Sequence, residues 1–82
     1  MGKFHTYILK SISSNKHYFG HTSDLEKRLF EHNLGLSTFT KRYIPWELFY
    51  LEEFNSRSEA KKREKFFKSL GSYHWLMNEG II

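Results

Sequence analysis

With no cysteine anywhere in its 82 residues, this chain can be staked together neither by disulfides nor by a thiolate zinc site. A chain of this length buries only about 60% of the surface it exposes when unfolded, so its core has to be economical. Aromatic side chains make that feasible. Eight Phe, five Tyr and two Trp exclude a large apolar area with few residues, at roughly 1.5–3 kcal/mol for each large side chain fully buried. A single domain over residues 1–82 is the expectation. The lack of cysteine suits a reducing cytoplasm. Near the N-terminus Ile8-Leu9 is interrupted by Lys10 and followed by Ser, Asn and Lys, so neither a secretory leader nor a membrane span is expected.

Polar breaks and capping signals divide the chain into short elements. His5 to Ile12 and Lys16 to Thr22 read as two strands of a hairpin around Ser13-Ser14-Asn15. Alternation puts Tyr7 and Leu9 on one face of the first strand, and Tyr18 and Gly20 on one face of the second. Ser23-Asp24-Leu25-Glu26 matches a capping box and predicts a helix from about Asp24 to Asn33, ended by Gly35. Pro45 biases Ile44 away from helix, and Glu47 to Phe54 reads as a third strand. Ser56-Arg57-Ser58-Glu59 is a second capping box, opening a helix that runs to about Leu70. A last short helix is expected over Tyr73 to Asn78. No repeat or linker is visible, so the fold class is α+β: a three-stranded antiparallel sheet flanked by helices, in the order β-β-α-β-α with a helical tail.

The formal net charge of +4 is modest, and its distribution says more than its sum. Lys41-Arg42 stand beside aromatic residues, and Lys61, Lys62, Arg63, Lys65 and Lys68 crowd one helix. Such a run serves either as a solvated face or as a phosphate-contacting one. Within that helix, spacing puts Glu64 on the side of Ala60 and Phe67 rather than among the lysines. An unpaired carboxylate there would be costly, so it should meet a protein cation or a metal ion, an i to i+4 pair with Lys68 being the plainest case. Arg28 and His32, one turn apart, project from the same side of the first helix, where Arg28 could equally pair with Glu31. Tyr7 and Tyr18 share an inward strand face, and Gly20 leaves a gap beside them that lets a backbone or a ligand approach. A zinc site built on His17 and His21 is rejected, because four residues along a strand separate them by about 13 Å.

Each of these features is weak alone. Together, Thr6-Tyr7-Ile8, Tyr18-Phe19-Gly20, Arg28-Leu29-Phe30-Glu31-His32-Asn33, Phe39-Thr40-Lys41-Arg42 before Pro45-Trp46, and Ser58 to Glu64 followed by Lys68 resemble the small stand-alone proteins of the GIY-YIG nuclease family. Thr6 stands where the family's name-giving glycine would be, and Phe19 replaces the usual isoleucine. The resemblance implies a divalent-metal-dependent endonuclease that hydrolyses DNA phosphodiester bonds, in repair or recombination and in the cytoplasm. It assigns catalytic roles to Tyr7, Tyr18, Arg28, His32 and Glu64. Glu64 would hold one Mg²⁺ or Mn²⁺ ion, and Tyr7 would accept a proton from the attacking water, its phenol drawn well below its reference of about 10 by neighbouring cations. Lys41, Arg42, Lys61 and Lys68 would contact nucleic acid, while Gly20 and Asn78 are further candidates for the site. DNA is the expected partner, with RNA left open and a partner protein or second copy supplying specificity. The competing reading is a nucleic-acid-binding module that keeps the fold with little or no cleavage; a protein-interaction scaffold ranks third.

Overall fold

Four consecutive residues of the first strand, Thr6, Tyr7, Ile8 and Leu9, are all buried. A strand covered on one face alone would alternate, so this one must be central, with a layer on either side. The computed structural model, which describes residues 2–69 and 76–80, has that arrangement. Strand β1 (Phe4–Ser11) lies between β2 (His17–Thr22) and β3 (Trp46–Phe54), antiparallel to both. Helix α1 (Leu25–Asn33) packs through Leu25 and Leu29 on the face bearing Tyr7, Leu9 and Trp46. Helix α2 (Arg57–Phe67) packs through Phe66 and Phe67 on the opposite face, against Ile8, Phe19, Phe49 and Tyr50. The expected α+β class and element order are therefore observed.

Pairing of β1 with β2 sets Tyr7 opposite Gly20 and Leu9 opposite Tyr18, so these four share a face as alternation requires. Between β1 and β3 the register shifts at Ile8/Leu9, where Ile8 faces Tyr50 and Leu9 faces Leu48. Phe49 is the extra residue, and the bulge lets Phe49 and Tyr50 both serve the α2-side core.

The helix ends follow local chemistry. Asp24, rather than the expected Ser23, caps α1: its carboxylate accepts from the Lys27 amide at 3.1 Å, while Thr22 takes the Asp24 amide into a turn. A carboxylate at that position also meets the positive end of the helix dipole, which a serine would not. At the other end Gly35, with φ +80, donates to His32 and Leu36 donates to Glu31, a Schellman closure. Ser56 caps α2 as expected, accepting from the Glu59 amide at 3.2 Å. A 3₁₀ turn over Thr40–Tyr43 precedes extended Ile44, whose conformation agrees with the bias set by Pro45. The helical tail lies partly outside the described residues, as do Leu70, Gly71 and Tyr73; residues 76–78 are helical, and Leu76 packs on Ile8 and Phe67. No helix among the described residues is long and apolar enough to cross a membrane.

Thr6 explains how α2 is seated. Its hydroxyl, fully buried, donates to the Ala60 carbonyl at 2.8 Å, and Ala60 itself has no exposed surface. Thr6→Val keeps the shape and removes the donor, so the protein should lose about 1 kcal/mol of stability. Urea unfolding of the two proteins checks this, and an unchanged midpoint would show that the bond contributes nothing.

Candidate active site

Gly20 is the position on which the site is built. A Cβ placed there would come within 2.5 Å of the Tyr7 hydroxyl oxygen and 2.7 Å of the adjoining ring carbon. The Tyr7 ring therefore lies across the bare backbone of β2, filling the gap that the sequence had left open to a ligand. Tyr18 is two residues back along the same face, its ring centroid 6.3 Å from that of Tyr7 and 4.7 Å from that of His32.

From the other side α1 brings down Arg28 and His32. His32 is fully buried, with Nε2 3.1 Å from the Tyr7 hydroxyl and Nδ1 2.8 Å from the Thr40 hydroxyl. The Arg28 guanidinium bonds Glu31 at 3.2 Å and interacts with the Tyr7 and Tyr18 phenols; burial disfavours its charge, but these partners outweigh that and raise its pKa. An open cleft of about 200 Å³ beside it is lined by Thr22, Ser23, Asp24, Lys27, Arg28 and Glu31.

The cations do not lower the Tyr7 phenol as the sequence reading expected. Burial pushes it up to about 12, Tyr18 and Glu64 add to the rise, and Arg28 offsets only part of it. The same burial pushes His32 down to about 4, with the Arg28 charge acting in the same direction and Glu31 against it. The pair is thus a neutral phenol against a neutral imidazole. Desolvation penalises the charged form of both groups, outweighing Arg28 at Tyr7 and acting together with it at His32.

Glu64 reaches the site from the opposite sheet face. Its Oε1 meets His21 Nδ1 at 2.5 Å and its Oε2 meets Lys68 Nζ at 2.7 Å. Burial raises its pKa, yet the hydrogen bonds and charges of Lys68 and His21 prevail and hold the carboxyl below its ordinary range. His21 follows Gly20 directly, so its side chain points to the α2 face while Gly20 lies under Tyr7. That adjacency on edge strand β2 brings Glu64 into electrostatic range of the Tyr7 phenol. The sequence had weighed His21 only as a zinc ligand and had not joined it to Glu64.

An ionised carboxylate with four lone-pair sites, two of them engaged, retains capacity for a hard cation. No group of three or more metal-ligating side chains exists among the described residues. This donor set fits a Mg²⁺-type ion, which keeps several waters and takes one or two carboxylates.

The remaining candidates divide. Lys41 and Arg42 are exposed on the 3₁₀ turn, beside Phe39, whose ring stacks on Tyr18 at 6.2 Å. Lys61 is exposed on α2, whereas Lys68 is engaged with Glu64. Arg63 grips Glu52 through two bonds, 2.7 and 3.1 Å. Asn78 is exposed at the end of the helical stretch 76–78, and the packing of Leu76 on Ile8 and Phe67 belongs to the sheet face away from Tyr7. Thr40 and Asn33, the latter bonding both the amide and the carbonyl of Trp46, complete the buried surroundings; neither was assigned a role from sequence.

A family model described as the GIY-YIG catalytic domain matches residues 3–78. A UPF0213 protein of Listeria innocua is 43% identical over 65 residues, covering 78% of this chain and 71% of its own. One of Staphylococcus saprophyticus is 40% identical over 70 residues, covering 84% of each. The solution NMR structure of a UPF0213 protein from Bacillus halodurans superposes with a TM-score of 0.55 at 26% identity, over 93% of this chain and 83% of that one.

The buried imidazole has a consequence for acid stability. Its folded pKa is about 4 against 6.5 for the free group. Between those values the unfolded chain binds a proton that the folded chain does not. The contribution is complete above pH 6.5 and is lost as pH falls through this window, by about 3 kcal/mol in all. Urea unfolding near pH 7 and near pH 4 should show the parent losing that much more than a His32→Gln variant. Equal losses in the two proteins would trace acid lability to other groups.

Proposed function

The chain belongs to the GIY-YIG catalytic domain family, and from that premise we propose that it is a divalent-metal-dependent endonuclease. Its substrate is DNA, cut by phosphodiester hydrolysis in the cytoplasm during repair or recombination. The observation that carries this reading is the convergence of Tyr7, His32 and Arg28 on one face of β2, with Glu64 electrostatically coupled to Tyr7 from the other. A phenol, an imidazole and a guanidinium held together by burial, within range of an ionised carboxylate, are what in-line attack on a phosphodiester uses.

Arg28, approached through the open cleft, binds the scissile phosphate and neutralises charge that grows on its non-bridging oxygens. Tyr18 orients the attacking water. That water passes a proton to the Tyr7 oxygen while the Tyr7 hydroxyl proton moves to His32 Nε2, so a phenol of high pKa serves without first becoming a phenolate. The hydroxide forms a bond to phosphorus, the bond to the 3′ oxygen breaks, and that oxygen takes a proton from solvent. Bound phosphate offsets the Arg28 charge that disfavours a protonated His32. Glu64 would hold the divalent ion, which supplies positive charge opposite the scissile phosphate and the leaving oxygen. Lys41, Arg42 and Lys61 track the flanking backbone, and a partner protein or a second copy supplies selectivity.

A binding module without cleavage is the second reading, favoured by the engagement of both Glu64 oxygens by His21 and Lys68. Metal dependence separates the two. Purified protein incubated with labelled duplex, branched and single-stranded DNA should cut only with Mg²⁺ or Mn²⁺ present and not with chelator. Glu64→Gln should abolish that cleavage while leaving DNA binding and the fold intact, and full activity in this variant would remove Glu64 from the chemistry. Arg28→Ala should slow cleavage by on the order of 10²-fold or more, far beyond its effect on affinity.

The cationic surface is tested separately. Each lost phosphate contact flattens the salt dependence of binding by about one unit of slope or less. Replacing Lys41 and Arg42 together by alanine should weaken DNA binding most at low salt and leave the melting temperature unchanged. Parallel salt titrations for variant and parent would make these two residues a solvated face only.

A further inference from the structure

Thr40 is a buried hydroxyl in a surface turn. Its neighbours Phe39, Lys41 and Arg42 are exposed, yet Thr40 has no accessible surface. It is held at both its backbone and its side chain. Its carbonyl accepts from Trp46 Nε1 at 2.8 Å, and Trp46 is fixed in turn by Asn33, which accepts from the Trp46 amide at 2.6 Å and donates to its carbonyl at 3.0 Å. Its hydroxyl then meets His32 Nδ1 at 2.8 Å. The single proton of a neutral imidazole links that bond to the one at Nε2, since one ring nitrogen donates and the other accepts. Arg28 has donors only, so its interaction with Tyr7 uses a lone pair of the phenol oxygen. The Tyr7 hydroxyl, 3.1 Å from His32 Nε2, keeps its proton free for that nitrogen. A neutral imidazole that accepts at Nε2 carries its proton at Nδ1, and the group facing Nδ1 is the Thr40 oxygen.

We propose that Thr40 is a positioning residue of the cleavage site: its hydroxyl oxygen accepts the Nδ1 proton of His32 and so holds the imidazole in the tautomer whose Nε2 lone pair faces the Tyr7 hydroxyl. This rests on the reading of Tyr7 and His32 as the proton-handling pair. The consequence reaches the water. With its own proton directed inward to His32, Tyr7 presents an oxygen lone pair outward; in the opposite tautomer Nε2–H would occupy that lone pair. The turn that carries the two exposed cations thereby also sets the direction of the proton path. The depressed pKa of His32 accords with a neutral ring at pH 7.

The tautomer is directly measurable. A long-range ¹H–¹⁵N correlation spectrum of histidine-labelled protein, free of metal and DNA at pH 7, should show His32 with a protonated Nδ1 and an unprotonated Nε2; loss of those signals in His32→Gln identifies them. Thr40→Val, close in shape but unable to accept, should shift the ring toward the other tautomer and lower the cleavage rate roughly 10- to 100-fold, with DNA affinity unchanged. Thr40→Ser should restore both tautomer and rate. A parent protein with protonated Nε2 overturns the proposal without recourse to any variant, so poor folding of Thr40→Val cannot shield it. An unaltered tautomer in a folded Thr40→Val overturns it too. A parent with protonated Nδ1, lost in Thr40→Val, that cuts no DNA upholds the hold of Thr40 on the imidazole and overturns the nuclease reading instead.

Discussion

The missing side chain at Gly20 is the constraint on which the arrangement depends. Strand β1 is central and β2 is an edge, so a tyrosine on β1 ordinarily stands up from the sheet among neighbouring side chains. Here nothing stands on β2 opposite Tyr7, and the ring lies over the neighbouring backbone with its hydroxyl toward the edge. Only from that position does the phenol meet His32 and Arg28 from α1 and still feel the Glu64 charge from α2. A methyl group at residue 20 would overlap the hydroxyl and ring of Tyr7. The ring is stiff and sits against backbone, so relief would require the ring to leave, and with it the hydrogen bond to His32.

Burial then fixes the charge state of what has been assembled. Tyr7 and His32 have almost no exposed surface, and desolvation acts on both in the direction of neutrality. Arg28 keeps its charge because it lines the cleft, about a third exposed and paired with Glu31. Glu64 keeps its charge for a parallel reason: one partner cation, Lys68, stands in solvent, and His21 accompanies it. The arrangement is thus layered, with a neutral phenol and a neutral imidazole inside and the charges of Arg28 and Lys68 nearer solvent. That layering disfavours a standing phenolate, which would have to exist in the dry layer.

Much of this was legible in the sequence because it depends on period and on local chemistry. Alternation alone put Tyr7, Leu9, Tyr18 and Gly20 on one face, and helical spacing put Arg28 beside His32 and Glu64 beside Ala60 and Phe67. The second capping box marked its helix correctly. What failed depends on three dimensions. Asp24 displaced Ser23 as the cap because Thr22 could fold the preceding turn around it. The bulge at Phe49 is a register event that a strand of mixed aromatics does not announce. The Tyr7 phenol was expected low on the strength of nearby cations, a judgement that counts charges but not solvent. Thr40 and His21 were passed over since neither hydroxyl nor imidazole declares its partner; Thr40 is 8 residues from His32, and His21 is 43 from Glu64.

His21 also shows why an edge strand is a suitable place for such a site. Successive residues on a strand point to opposite faces, so Gly20 and His21 act on different sides of the sheet though they are adjacent in the chain. In the interior of a wider sheet those two sides would be insulated from each other by neighbouring strands. At the free edge of β2 they are not, and the carboxylate bound to His21 influences the phenol lying over Gly20. A three-stranded sheet has two such edges, each one strand away from the central β1. The small size that forces an economical core therefore also lets groups from both helical layers meet, with one glycine as the passage between them.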